Sequence, residues 1–112
     1  MKELDIEIMG QDWYVTCIEE SEYKNIYAED MEAEAFTDPS LNTITINDTY
    51  LTVETVTHEL VHAYVSACCI AHPAIEKDSF EEIMCDLFGK YGRDIVKQAD
   101  AIYHKLKGKD KH

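Results

Sequence analysis

The sequence predicts an α+β domain in which a short β-sheet precedes a group of helices. Two observations carry this. β-forming residues concentrate in the first half, in Trp13-Tyr14-Val15-Thr16-Cys17-Ile18 and in Leu41-Asn42-Thr43-Ile44-Thr45-Ile46-Asn47. From Thr49 onward, apolar residues recur at helical spacing instead. At 112 residues the chain forms one domain, spanning 1–112, with room for a modest core.

Each element follows from local chemistry. Trp13 to Ile18 reads as a strand, and Ser21 to Glu34, acidic and aromatic, as a short helix or irregular excursion. Asp38-Pro39-Ser40 is a turn signal, because proline fixes φ and the flanking side chains bond to nearby backbone. The alternation from Leu41 to Asn47 gives a strand with one wet face and an exposed edge, ended by Asn47-Asp48-Thr49. A helix then starts between Thr49 and Thr52, with Val53, Val56, Leu60, Tyr64 and Ala67 on its core face, and runs to about Ile70 ahead of Pro73. A second helix starts after Asp78 or Ser79. A third lies between Gly89/Gly92 and Gly108, with Ile95, Val96, Ala99, Ile102, Tyr103 and Leu106 on its apolar stripe. The tail from Lys107 is basic.

Bulk composition removes several function classes. Ten basic against 23 acidic residues give a net charge of −13, which excludes a nucleic-acid binder and docking to anionic membranes, since both need clustered Lys and Arg. Such an excess keeps a small protein soluble; it also suits a cationic partner. The start, Met1-Lys2-Glu3-Leu4-Asp5, is no secretory signal, and the uncharged run from Ala63 to Ile75 is too short to span a bilayer. These features predict an intracellular, cytoplasmic protein whose Cys17, Cys68, Cys69 and Cys85 are reduced and mostly buried. No C-x-x-C pair exists, so a zinc ribbon is excluded.

The chemistry concentrates in His58-Glu59-Leu60-Val61-His62. Two histidines four apart stand one helical turn above each other, where both imidazoles reach one metal ion. The glutamate beside the first leans over the open side of that metal, placed to take a proton from a bound water. His58, Glu59 and His62 fall on a different stripe from the core residues, as a cleft site requires.

Catalytic zinc keeps three protein ligands and an open position, so the chain must supply another. Glu82, at the start of the next helix in Phe80-Glu81-Glu82-Ile83-Met84-Cys85-Asp86, closes a His-His-Glu set if that helix packs across the first. Asp86, one turn further on the same face, is placed to accept the free N–H of a ligand histidine and fix its tautomer. The competing reading makes Glu82 part of a capping box with Ser79, but Asp78 with Glu81 offers the same cap one residue earlier and frees Glu82. Glu81 as the ligand lacks an acid four residues later, because position 85 is Cys.

The pair of segments from His58 to His62 and from Glu82 to Gly89 resembles the gluzincin pattern. In particular it resembles the compact metallopeptidase domains of ImmA/IrrE type that phages and mobile elements often encode. Glu82, Cys85, Asp86, Phe88 and Gly89 stand where that family has its ligand glutamate, a small residue, Asn or Asp, Phe and another small residue. The resemblance covers roughly residues 41 to 90, and Val61 replaces a glycine common in the family. It implies a small zincin-like fold, in which an edge strand, here Thr43 to Asn47, packs on the motif helix and two further C-terminal helices follow. Such an edge strand holds extended peptide by strand addition.

The implied activity is that of a zinc metalloendopeptidase. Zn2+ held by His58, His62 and Glu82 acidifies a water, Glu59 takes its proton and passes it to the leaving amine, and a peptide or flexible protein segment is the substrate. Tyr91, His72, Tyr64 and His104 are candidate oxyanion donors, with Tyr91 preferred because it closely follows the second helix. Trp13, Tyr14 and Phe36 read as core or cleft-wall aromatics. The alternative function is a zincin-shaped binding module, in which the metal site is structural and the acidic surface engages a partner. A second alternative treats the His-Glu-His spacing as accidental in a plain α+β interaction domain.

Overall fold

A computed structural model of the chain describes residues 2–27, 34–71 and 77–108, apart from the side chains of 69–71, 77–80 and 83. It is an α+β architecture. A four-stranded mixed sheet is formed by β1 (Lys2–Ile8), β2 (Gln11–Ile18), β3 (Ala35–Asp38) and β4 (Thr43–Asn47), in the spatial order β1-β2-β4-β3. Helices α1 (Glu20–Ile26), α2 (Val53–Ala71) and α3 (Lys77–Gly108) complete it.

The first hairpin follows from strict alternation. Leu4, Ile6 and Ile8 turn inward while Glu3, Asp5 and Glu7 stay exposed, as the two-residue period of a strand requires. Ile8 pairs with Gln11, which leaves a two-residue loop of Met9 and Gly10 with φ of 50° and 82°. Two left-handed residues match the twist of antiparallel strands; Gly10 adopts that conformation freely and Met9 carries a cost of about 1 kcal/mol. β2 then pairs in parallel with β4, from Tyr14 opposite Thr43 to Ile18 opposite Asn47, with α1 and β3 in the crossover. The buried Tyr23 anchors α1, and Tyr27 links it to Phe36 of β3 at a ring distance of 5.3 Å.

β3 and β4 form the second hairpin, with Asp38 opposite Thr43. The expected turn at Asp38-Pro39-Ser40 is present, and the Asp38 carboxylate accepts from the Ser40 backbone N–H at 3.0 Å. β4 covers the residues the alternation indicates, and buries Ile44 and Ile46 on one face. Its position differs from the expectation. β4 lies inside the sheet between β2 and β3, and the edge strand beside the motif helix is β3, four residues that the sequence reading passes over.

α2 begins after Thr52, whose side-chain oxygen accepts from the Thr55 N–H at 3.1 Å as an N-cap does. It buries Val56, Leu60, Ala63, Tyr64 and Cys68 against the sheet and α3, while Val53 in the first turn is exposed.

α3 is the second correction. The sequence predicts two helices with a break near Gly89 and Gly92; the chain forms one continuous helix of 32 residues. Each glycine inside a helix costs about 1 kcal/mol relative to alanine. The apolar stripe does not pause there, however: Leu87, Tyr91, Ile95, Ala99, Ile102 and Leu106 continue through both glycines and pack on the core. Removing one such buried side chain costs about 2–5 kcal/mol, so burial outweighs the glycine penalty. Val96, expected on the stripe, falls outside it and is exposed. No helix among the described residues is long and apolar enough to cross a membrane.

Candidate metal centre

α2 carries its chemistry on the flank opposite its core stripe. With Leu60 and Ala63 fully buried, the four-residue step puts His58 and His62 on the exposed side, one turn apart. Their Nε2 atoms converge to 3.1 Å, with the rings edge to face at 75°. A tetrahedral ion bound at about 2.05 Å by two nitrogens holds them about 3.3 Å apart. The spacing is therefore already that of a two-nitrogen chelate.

Glu59 lies differently. It is only 6% exposed, turned from the helix flank toward β3, and its burial calls for a donor. Thr37 provides one: its hydroxyl donates to Glu59 Oε1 at 2.7 Å and lies 3.2 Å from the Glu59 main-chain oxygen. A bond to a charged carboxylate is the stronger of the two, so it sets the hydroxyl's direction. Oε2 is left toward the histidines, 3.9 Å from His58 Nε2. The ligand atoms of His58, Glu59 and His62 all lie within 4.8 Å of one another.

Two clefts meet at this centre. One, of about 470 Å³, runs on the His58 side and includes Glu34, Thr49, Tyr50, Thr52, Glu54 and Thr55 in its wall. The other, of about 360 Å³, runs on the His62 side past Phe36, Thr37, Pro39, Val65 and Ser66. Glu59 and Ala35 belong to both. The clefts thus lie along the junction of α2 with the edge strand β3.

The remaining expected site residues lie elsewhere. Glu82 and Asp86 are exposed on α3, and Glu82 is outside the group of donors that converge among the described residues. The register of α3 explains this: Met84, Leu87 and Tyr91 face the core, which leaves Glu81, Glu82, Cys85 and Asp86 on the solvent side. Tyr91 is half-buried with its ring 5.6 Å from that of Tyr64, and neither lines the clefts beside Glu59. Burial pushes the Tyr64 phenol above its ordinary pKa, and the charge of Asp94 and the Tyr91 phenol push the same way. His104 is exposed beside Tyr103, and His72 lies outside the described residues. Sequence reasoning gives no sign of Thr37: its only signal is that a buried carboxylate on α2 needs a hydroxyl from a neighbouring element, which no spacing along the chain reveals.

The chain matches no protein-family model, and neither curated proteins nor solved structures match it.

Proposed function

We propose that this protein is a zinc-dependent metallopeptidase of compact zincin-like build, similar to the ImmA/IrrE-type domains, acting on a peptide or a flexible protein segment. One observation carries the reading. Two imidazole nitrogens stand 3.1 Å apart beside a buried carboxylate that Thr37 holds by one oxygen only. His58 and His62 are the residues that would hold the metal. A bound zinc supplies a Lewis acid that polarises a carbonyl and makes water acidic near neutral pH.

Glu59 acts as the base. With Oε1 engaged by Thr37, Oε2 on the histidine side takes the proton of the attacking water and returns it to the departing amine. The hydroxyl of Thr37 keeps the carboxylate from swinging away, which is the role a fixed neighbour plays in positioning a catalytic group. β3 contributes its outer edge, since among the described residues it pairs only with β4, and an extended peptide can add to that edge as a further strand. The clefts on either side of Glu59 then receive side chains flanking the attacked bond.

The test is Glu59→Gln. The amide keeps its size and still accepts from Thr37, so zinc content and melting temperature stay near the wild-type values. Zinc-dependent cleavage of a peptide library falls at least a hundredfold. A second reading has its own support: among the described residues, only two histidines and Glu59 converge, one donor short of the usual catalytic set once Glu59 serves as base. In that reading the metal stabilises the fold and the protein acts by binding. Zinc-loaded wild-type protein that cleaves nothing in the library would establish it over the peptidase.

A further inference from the structure

The two clefts that meet at Glu59 differ in chemistry. Glu34 and Glu54 stand in the wall of the His58-side cleft together with the hydroxyls of Thr49, Tyr50, Thr52 and Thr55. Both glutamates are exposed, and among the described residues neither has a cationic partner. No Lys or Arg lines either cleft among those residues. A cleft with one sign of charge concentrates the opposite charge in a ligand. The His62-side cleft carries Phe36, Pro39 and Val65 and no carboxylate besides Glu59 itself. Along this segment the change is ordered, with Glu34 just before β3 on the acidic side and Phe36, Thr37 and Pro39 following on the apolar side. A peptide laid on this edge therefore meets the acidic cleft on one side of Glu59 and the apolar cleft on the other.

We infer that the centre recognises a peptide segment with a Lys or Arg on one side of the attacked bond and an apolar residue on the other. The basic side chain occupies the cleft of Glu34 and Glu54, and the apolar one occupies the cleft of Phe36, Pro39 and Val65. This specifies the substrate of the peptidase reading and rests on it for cleavage, but the recognition itself is a matter of binding. The net charge of −13 acts in the same direction by drawing cationic segments toward the protein.

The experiment separates recognition from chemistry by using Glu59→Gln with fluorescent decapeptides whose central pair is Lys-Leu, Leu-Lys, Glu-Leu or Lys-Ser. Anisotropy titrations at low salt give the better of the two Lys/Leu orders about tenfold tighter binding than Glu-Leu, as two unpaired carboxylates at a partly screened site supply. Adding Glu34→Gln and Glu54→Gln, both at exposed positions, removes that difference, and raised salt shrinks it. Replacing Leu by Ser weakens binding severalfold. Equal binding of Lys-Leu, Leu-Lys and Glu-Leu overturns the inference, and so does a preference that survives the double substitution. In parallel, wild-type zinc-loaded protein is given a proteome-derived library cut after acidic residues. Cleavage sites flanked by Lys or Arg and an apolar residue support the specificity. Intact peptides combined with charge-dependent binding leave the recognition standing and remove the peptidase reading. Cleavage without charge preference removes the recognition and leaves the peptidase reading.

Discussion

Removing one imidazole tests the chelate directly. His58 and His62 hold their Nε2 atoms 3.1 Å apart, close to the roughly 3.3 Å of a tetrahedral zinc site, so binding requires little rearrangement. A ligand that binds only the folded state at a hundredfold its Kd adds about 2.7 kcal/mol of stability. Unfolding entropy near 2.1 cal/mol/K per residue, over 112 residues, gives about 0.24 kcal/mol/K. Zinc at that level therefore raises the melting temperature by about 11 °C. In His62→Ala only one imidazole remains. A second donor held nearby counts as a millimolar or higher local concentration, so its loss weakens binding about a hundredfold or more. The same zinc concentration then lies near the variant's Kd, and stabilisation drops to about 0.4 kcal/mol, or roughly 2 °C. Differential scanning fluorimetry with and without zinc, reversed by a chelator, measures both shifts. A wild-type shift that persists in His62→Ala and in His58→Ala would refute the reasoning, because the ion would then bind elsewhere. Glu82→Ala belongs in the same series: its side chain lies outside the converging donors, so its zinc affinity stays within about threefold of wild type. A loss as large as that of a histidine variant would make Glu82 a ligand after all.

Three further outcomes follow from individual contacts. Thr37→Val leaves the buried Glu59 carboxylate without its hydroxyl donor and costs about 1–3 kcal/mol in urea unfolding, whereas Thr37→Ser retains most of that stability. Gly89→Ala stabilises the protein by about 0.5–1 kcal/mol, because the position is helical and an added methyl meets nothing within 4 Å; a loss of stability would restore the expected helix break. The Tyr14 hydroxyl donates to the Glu3 carboxylate, and that bond, with the negative charges of Glu3 and Asp5, pushes its pKa from 10.0 up to about 12. The folded state thus favours the neutral phenol. This contribution is fully present below pH 10 and is lost as pH rises through about 12, so ultraviolet titration shows Tyr14 among the late-ionising of the seven tyrosines, beside the buried Tyr64, and Glu3→Gln moves Tyr14 back toward the ordinary range.

What the sequence discloses is what a single element encodes by itself. The motif helix, its start near Thr52 and its buried Val56, Leu60 and Tyr64 follow from periodicity, and the structure reproduces them. The strand Thr43–Asn47 and the turn before it follow equally from alternation and proline. The hairpin strand β1 is legible too, in the alternation of Glu3, Leu4, Asp5, Ile6, Glu7 and Ile8. The order of strands is another matter. Whether Thr43–Asn47 is an edge or an interior strand depends on whether four residues at Ala35–Asp38 pair with it, and so short a run has no period to detect. The helix break at Gly89 fails for a related reason. Glycine propensity is a local signal, while the stripe from Leu87 to Leu106 draws its energy from the sheet and α2.

The same division runs through the site. The histidine pair is a property of one helix, and four residues of spacing suffice to bring two nitrogens to 3.1 Å. In the proposed peptidase, what would make the histidine pair reactive depends on β3 as well as on Glu59 of α2 itself. Thr37 bonds Glu59, β3 is the last strand of the sheet among the described residues, and Glu34 (with Glu54 of α2) and Phe36 give the two clefts their opposite characters. α3 contributes packing, through Leu87, Ile95 and Leu106, rather than a converging donor. The proposed function is therefore coupled to the β3–β4 hairpin, whose turn rests on Asp38 and Pro39. A substitution that loosens that turn is expected to disturb the Thr37–Glu59 contact and with it the proposed peptide recognition, while leaving the geometry of the histidine pair on α2 unchanged, because Thr37 and the histidines stand on different elements.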